Sequence, residues 1–334
     1  MNGITKAAGI SLAALVIACS AGAANAAGTT VCYAFQDLST GFWVAGHGAI
    51  VDTLKAAGVE VVELNGGHDA NRQLEQVKDC IAQGGNGIIL TADDGDSGTV
   101  VVAAAQEADV PIATFNRPPS DMSKGIIVVA DNEAVARAAV DAMVAEAEKK
   151  FGATGKKLKP LILMGDLGDP NAVQRRAGFM NSVAAHPDLF EAPVEVATKW
   201  NSQVALAGLE AAMTADPSID FIFTSSDFLF PTIQSVLEPI GKWKKAGEAD
   251  HVILGGLDGD DGACKLIQDG YVDSTGVQDV YLEAELALTG IMDAIKAGDA
   301  RPNAVTLDPG FALSQANYAE MGAKTWGCQV LAAK

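Results

Sequence analysis

The residues of this chain that could do chemistry fall in short groups, each just after a short apolar run. They are Gln36-Asp37-Leu38-Ser39-Thr40-Gly41-Phe42-Trp43, Asn116-Arg117-Pro118-Pro119, the stretch 165–174 with Asn171 and Gln174, Trp200-Asn201, Ser225-Ser226-Asp227, Asp258-Gly259-Asp260-Asp261 and Gln278-Asp279. Guanidinium, amide and carboxylate groups make charge-assisted hydrogen bonds, and aromatic rings offer flat apolar faces. Together they suit recognition of a molecule with many hydroxyls. They do not suit bond breaking by a nucleophile, because no histidine lies among them to form a Ser/His/Asp or Cys/His arrangement. The four histidines, His47, His68, His186 and His251, are scattered, and no cysteine pair has C-x-x-C spacing. No metal or other cofactor is expected. The acidic runs Asp93-Asp94-Gly95-Asp96 and Asp260-Asp261 lack the spaced ligands and terminal Glu of a calcium loop. They read as turns and helix N-termini, where carboxylates are favoured.

The apolar runs are strand-like and alternate with helical patterns. Residues 31–35, 59–64, 87–90, 110–115 and 125–129 make a first set, and 161–164, 194–197, 221–224, 252–255 and 274–277 a second. Near-continuous apolar strands separated by helices indicate parallel sheets covered on both faces. Ten strands with a restart at mid-chain predict an α/β fold of two doubly wound lobes. Asp69 is placed as the N-cap of a helix over 70–83. In such sheets ligands sit beyond the carboxyl ends of strands, which is where the polar groups fall.

The N-terminus predicts export. One cation, Lys6, precedes an apolar run, Ile10 to Ala18, followed by small residues ending Ala24-Asn25-Ala26. That is a signal-peptide pattern, with cleavage after Ala26 and a periplasmic mature chain. Val16-Ile17-Ala18-Cys19 offers a second cut site, at which Cys19 would carry lipid. The full chain has 23 basic and 42 acidic residues, and loss of 1–26 removes only Lys6, so the mature charge is 22 − 42 = −20. So acidic a surface opposes binding to nucleic acid or anionic membranes. The four remaining cysteines, in an oxidising compartment, allow two disulfides. Cys264 opens a helix of the second lobe and the tail with Cys328 should end there, which pairs them; Cys32 in the first strand then meets Cys80 on a covering helix.

In several of these groups the chain resembles the ribose-binding-protein-like sugar receptors of ABC importers, over about residues 29–315. Thr40-Gly41-Phe42-Trp43 is similar to an N-P-F-F turn, Thr114-Phe115-Asn116-Arg117 to T-x-D-R, Gly255-Gly256-Leu257-Asp258-Gly259 to G-x-D-G and Gly276-Val277-Gln278 to a late Gln element. Ala130-Asp131-Asn132 matches a first crossing between lobes. The resemblance implies stacking by Phe42, Trp43 and Trp200, hydrogen bonds to hydroxyls from Arg117, Asp258 and Gln278, and supporting contacts from Asn116, Asn171, Gln174 and Ser226. Asn116 stands where an Asp is usual, and the usual Arg of the second lobe aligns with Val173. The pocket therefore reads as less charged than a ribose site, fitting another pentose, a deoxysugar or an acyclic polyol. The implied fold has a three-segment hinge near Ala130-Asp131, Gln278-Asp279 and Thr306-Leu307. Its lobes would be 28–130 plus 279–306 and 131–278 plus 307–334.

Two other functions share such a fold. A nicotinamide-dependent enzyme should carry G-x-G-x-x-G after the first strand, where this chain has Gln36–Thr40. A repressor should carry a basic helix-turn-helix, which is absent. The expected protein is a monomeric, non-enzymatic receptor that delivers a neutral sugar or polyol to a membrane permease; the alternative is presentation of the bound sugar to a chemoreceptor.

Overall fold

The computed structural model describes residues 28–152 and 154–334. The expected signal peptide and the Cys19 site lie outside the described residues. The strands are β1 (Thr30–Phe35), β2 (Glu60–Asn65), β3 (Gly87–Leu90), β4 (Ile112–Phe115), β5 (Gly125–Ala130), β6 (Lys159–Met164), β7 (Val194–Ala197), β8 (Ile219–Thr224), β9 (Ile253–Asp258), β10 (Ser274–Val277), β11 (Asn303–Asp308) and β12 (Phe311–Ser314). The helices are α1 (Gly41–Ala56), α2 (Ala70–Ala82), α3 (Gly95–Glu107), α4 (Asn132–Phe151), α5 (Pro170–Ala185), α6 (Ser202–Ala215), α7 (Phe230–Leu237), α8 (Asp261–Asp269), α9 (Val280–Ala297), α10 (Tyr318–Met321) and α11 (Trp326–Ala332).

Two six-stranded sheets result, in the orders β11-β5-β4-β3-β1-β2 and β12-β10-β9-β8-β6-β7. Among the described residues all strand pairings are parallel except β10 with β12. The strand order reverses between β1 and β3 in one sheet and between β6 and β8 in the other. Loops at such a reversal splay apart and leave a crevice at the strands' carboxyl ends. Strands β3, β4 and β5 are buried along their whole length, as sheets sandwiched by helices require. Helix α2 begins at Asp69, whose side chain accepts from the Arg72 amide at 3.0 Å.

Two strands are absent from the sequence reading, β11 and β12. Strand β11 lies at a sheet edge and exposes about half of Val305 and Leu307. It therefore lacks the fully buried run that marks the other strands. Its presence also moves the third passage between sheets. Pairing of β11 with β5 continues to Asp308 opposite Ala130, so the chain crosses at residues 309–310 and not at Thr306-Leu307. The Asp308 carboxylate fixes that corner by accepting from the Gly310 amide at 2.9 Å and the Asp279 amide at 2.6 Å. It thereby ties the third passage to the second. The first passage follows Ala130, and α4 then packs on β9, β10 and β12 of the second sheet.

Cys32 on β1 faces Cys80 on α2 with Cα atoms 6.5 Å apart, and Cys264 on α8 faces Cys328 on α11 at 5.3 Å. Both separations lie within the roughly 4.4–6.8 Å that a disulfide spans.

Candidate functional site

The loops at the carboxyl ends of both sheets enclose a cleft of about 1140 Å³. The lobes are shut across it. The Gly95 amide donates to the Gly168 carbonyl at 3.1 Å, and Asn171 Nδ2 donates to the Asn116 carbonyl at 3.0 Å. Arg117 Nε lies 3.3 Å from Asp169 Oδ2. Each of these contacts joins one sheet's loops to the other's.

Of the sequence-predicted residues, Phe42, Trp43, Asn116, Arg117, Asn171, Trp200, Ser226, Asp258 and Gln278 all line the cleft. Gln174 does not. It sits half-exposed on α5, and Arg175 takes its place. The reason is helical phase: Asn171, Arg175, Gly178 and Ser182 form the buried face of α5. This corrects the expected low charge of the pocket, since a second guanidinium enters it. Asp169, the N-cap of α5, is a further lining residue that the sequence reading did not single out.

Each lobe supplies a guanidinium set against a tryptophan. Arg117 Cζ lies 5.5 Å from the Trp43 ring centre, and Arg175 Cζ 5.8 Å from that of Trp200. Both arginines are buried and held by partners. Arg117 Nη1 donates to the Asp93 carbonyl at 2.8 Å. Arg175 donates from Nε to Asn132 Oδ1 at 2.6 Å and from Nη1 to the Ser225 carbonyl at 2.7 Å and Asp258 Oδ1 at 3.1 Å. Trp200 packs against Gly165, where a β-carbon would fall 2.1 Å from the ring. Only glycine leaves room for that wall. Phe42 is mostly covered, edge-on to both Trp43 and Trp326, so it backs the wall more than it faces the cavity.

Asp258 is an acceptor with three donors around it. Besides Arg175, it accepts from Gln278 Nε2 at 2.7 Å on Oδ1 and from Ser226 Oγ on Oδ2. Its φ is 136°, while Asn116 and Trp200 have φ of 62° and 54°. Such backbone is sparsely populated by non-glycine residues, costs on the order of 1–3 kcal/mol each and gathers at binding sites.

Several carboxyls near the cleft and hinge are pushed up by burial. They are Asp227, Asp258, Glu283 and Asp260, the last raised to about 6. For Asp258 the Arg175 charge opposes burial without cancelling it. A carboxyl raised in the folded chain keeps a proton that the unfolded chain loses near about pH 4. The stability it contributes is complete below that pH and is lost as pH rises through the folded value. The lowered carboxyls, Glu63, Asp121, Glu195 and Asp216, titrate below their ordinary range and do not act in this window. The ligand-free protein is therefore expected to melt at a higher temperature near pH 5 than near pH 7.5. Scanning fluorimetry showing the reverse order would contradict the assignment.

Comparison with known proteins places the chain. The model of a family described as periplasmic binding protein domain matches residues 31–299. The chain belongs to that family. Its site is thus one of binding and not of catalysis. Among its relatives, the ribose import binding protein of Escherichia coli strain K12 is 24% identical over 285 residues, covering 85% of this chain and 90% of the relative. The xylitol-binding protein of Mycolicibacterium smegmatis is also 24% identical, covering 87% and 80%. In fold, the chain is similar to a Caulobacter myo-inositol binding protein bound to myo-inositol. The TM-score is 0.76 at 21% identity, covering 87% of this chain and 95% of that one.

Proposed function

We propose that this periplasmic binding protein captures a neutral sugar or polyol between its lobes and delivers it to an ABC importer. The observation that carries the reading is the composition of the cleft walls. Arg117 from one lobe and Arg175 with Asp258 from the other converge on one cavity, flanked by the tryptophan faces of Trp43 and Trp200. Hydroxyls both donate and accept, so a polyol can use guanidinium and carboxylate together, while its C–H face rests on the rings. A ligand lacking the hydroxyls would leave those buried groups unpaired. The named relatives, which bind ribose, xylitol or myo-inositol, support this class.

The ligand contacts proposed are Trp43, Asn116, Arg117, Asn171, Arg175, Trp200, Ser226, Asp258 and Gln278, with Phe42 backing the Trp43 wall. The three passages near 131, 278–279 and 309–310 act as the hinge, with 28–130 plus 279–308 as one rigid lobe and the remainder as the other. The mature chain starts after Ala26, works in the periplasm as a monomer, and carries Cys32–Cys80 and Cys264–Cys328 as disulfides. Among the described residues no helix is long and apolar enough to cross a membrane.

A thermal-shift panel of pentoses, hexoses, deoxysugars and polyols tests the ligand class. A ligand at 100 times its Kd adds about 2.7 kcal/mol, or roughly 5 °C in a chain of this size. No shift with any panel member at millimolar concentration would overturn the reading. Closure predicts that a binding sugar also reduces the radius of gyration in small-angle scattering; an unchanged radius would count against the hinge.

A further inference from the structure

We propose that Glu283, which lies behind the cleft and not on it, is a positioning residue that makes Asn116 purely a hydrogen-bond acceptor toward the ligand. This rests on the reading of the cleft as a sugar or polyol site.

An asparagine amide carries two N–H donors and one carbonyl oxygen, and can ordinarily turn either end to a ligand. At Asn116 that choice is gone. Nδ2 lies 2.9 Å from Gln278 Oε1 and 2.8 Å from Glu283 Oε2, so both hydrogens are committed inside the protein. The sense of the amide is fixed from the far side as well. Arg175 holds Asp258 as an acceptor, Gln278 therefore turns Nε2 to it, and Gln278 Oε1 is left facing Asn116. The line Glu283, Asn116, Gln278, Asp258 thus has a carboxyl acceptor at each end. Reversing either amide would set oxygen against oxygen. What remains for the cleft is Asn116 Oδ1, whose protein contact is a long 3.4 Å from Asn171 Nδ2. A hydroxyl bound there must donate.

Glu283 is an expensive residue for this place. It is fully buried in the first turn of α9, its Oε1 has no hydrogen-bond partner among the described residues, and burial raises its pKa well above the usual range. A carboxyl needed only for the helix N-terminus would do as well on the solvent side of the turn. The contact to the Asn116 amide is what the buried position provides.

The test uses calorimetric Kd values for D-ribose, xylitol and myo-inositol with the full mature chain. E283Q keeps a carbonyl acceptor for Asn116 and is expected to stay within about 3-fold of wild type. E283M orphans one Asn116 N–H and is expected to lose about 10-fold or more. N116D replaces the donor that faces Gln278 Oε1 with a carboxylate oxygen and is expected to lose about 30-fold or more. Adding E283Q to N116D supplies an amide donor to that carboxylate and should recover about 10-fold. A purely structural role for Glu283 predicts no such recovery. A double variant no better than N116D, or E283M binding like wild type, would overturn the proposal. A ligand-free readout runs beside it. The Asn116 side-chain amide signal, identified by its loss in N116D, should show two slowly exchanging hydrogens in wild type and E283Q, and one fast in E283M. If no panel sugar binds, the polyol reading fails, and the amide signal alone decides the role of Glu283.

Discussion

Arg175→Ala is expected to cost the protein both its ligand and a large part of its stability. The guanidinium neutralises Asp258 at 3.1 Å inside a cleft wall where both side chains are almost fully buried. Removing one partner of such a pair leaves an uncompensated buried charge, at about 3–5 kcal/mol. In a chain of this size that is roughly 6 °C or more in Tm. Ligand affinity should fall too, because one of the two guanidinium donors of the cavity disappears and Asp258 loses the cation that holds it in place. Asp258→Asn tests the other half of the pair and leaves the Arg175 charge without its counter-ion. It keeps the shape and one acceptor while deleting the charge, so affinity should drop by about 1–3 kcal/mol, the range for hydrogen bonds to charged groups. Arg117→Ala, on the opposite wall, should cost about 2–5 kcal/mol in affinity by leaving ligand hydroxyls without their donor and Asp169, which keeps Trp200 Nε1 at 3.1 Å, without its cation. Calorimetry with unchanged affinity for all three variants would mean that the ligand binds elsewhere.

The contrast between Arg175 and Arg117 shows what the sequence makes legible. Arg117 follows β4 directly, and a polar residue at the carboxyl end of a buried parallel strand has few places to go but the crevice. The same logic finds Asp258 at the end of β9, Gln278 after β10 and Trp200 after β7. Arg175 sits one turn into α5, where the direction of a side chain depends on helical phase. Counting four residues from Asn171 reaches Arg175, and counting three reaches Gln174; only packing of α5 on α4 decides between them. Glu283 is hidden for a different reason. An acid in the first turn of a helix already has an ordinary explanation in the helix dipole, so nothing in the sequence marks it as buried. The fold is legible wherever burial is complete, as along β3, β4 and β5, and fails at β11, an edge strand with polar and exposed residues. That failure shifts the third hinge passage by three residues, from 306–307 to 309–310, because the pairing of β11 with β5, and not its composition, sets where the strand ends.

Loss of the two proposed disulfides is expected to lower stability by an amount comparable with the Arg175 variant, but with different consequences at the site. The sequence separations are 48 and 64 residues. Chain entropy alone puts the closure of loops of this size at about 4 kcal/mol each, and measured values for native disulfides run from about 2 to 5 kcal/mol. The Cys32–Cys80 pair ties β1 to α2 behind the first sheet, away from the cavity. C32S/C80S should therefore lower Tm with little change in affinity. The Cys264–Cys328 pair holds α11 against α8, and α11 supports the binding wall. Trp326 Nε1 donates to the Asp258 carbonyl at 2.9 Å, the Trp326 ring stands edge-on to Phe42, and the Gly327 amide donates to the Gly259 carbonyl at 3.2 Å. The approach at Gly327 is so close that a β-carbon would fall 2.2 Å from the Asp260 backbone. Freed from that tie, α11 can lift away and release the strained backbone at Asp258. C264S/C328S should consequently lose both Tm and about 1 kcal/mol or more of affinity, on the scale of a hydrogen bond lost beside a buried charge. Thiol titration of the unfolded, unreduced protein should find no free thiol in the mature chain. Four free thiols, or equal affinity in the two double variants, would contradict the coupling between this bond and the site.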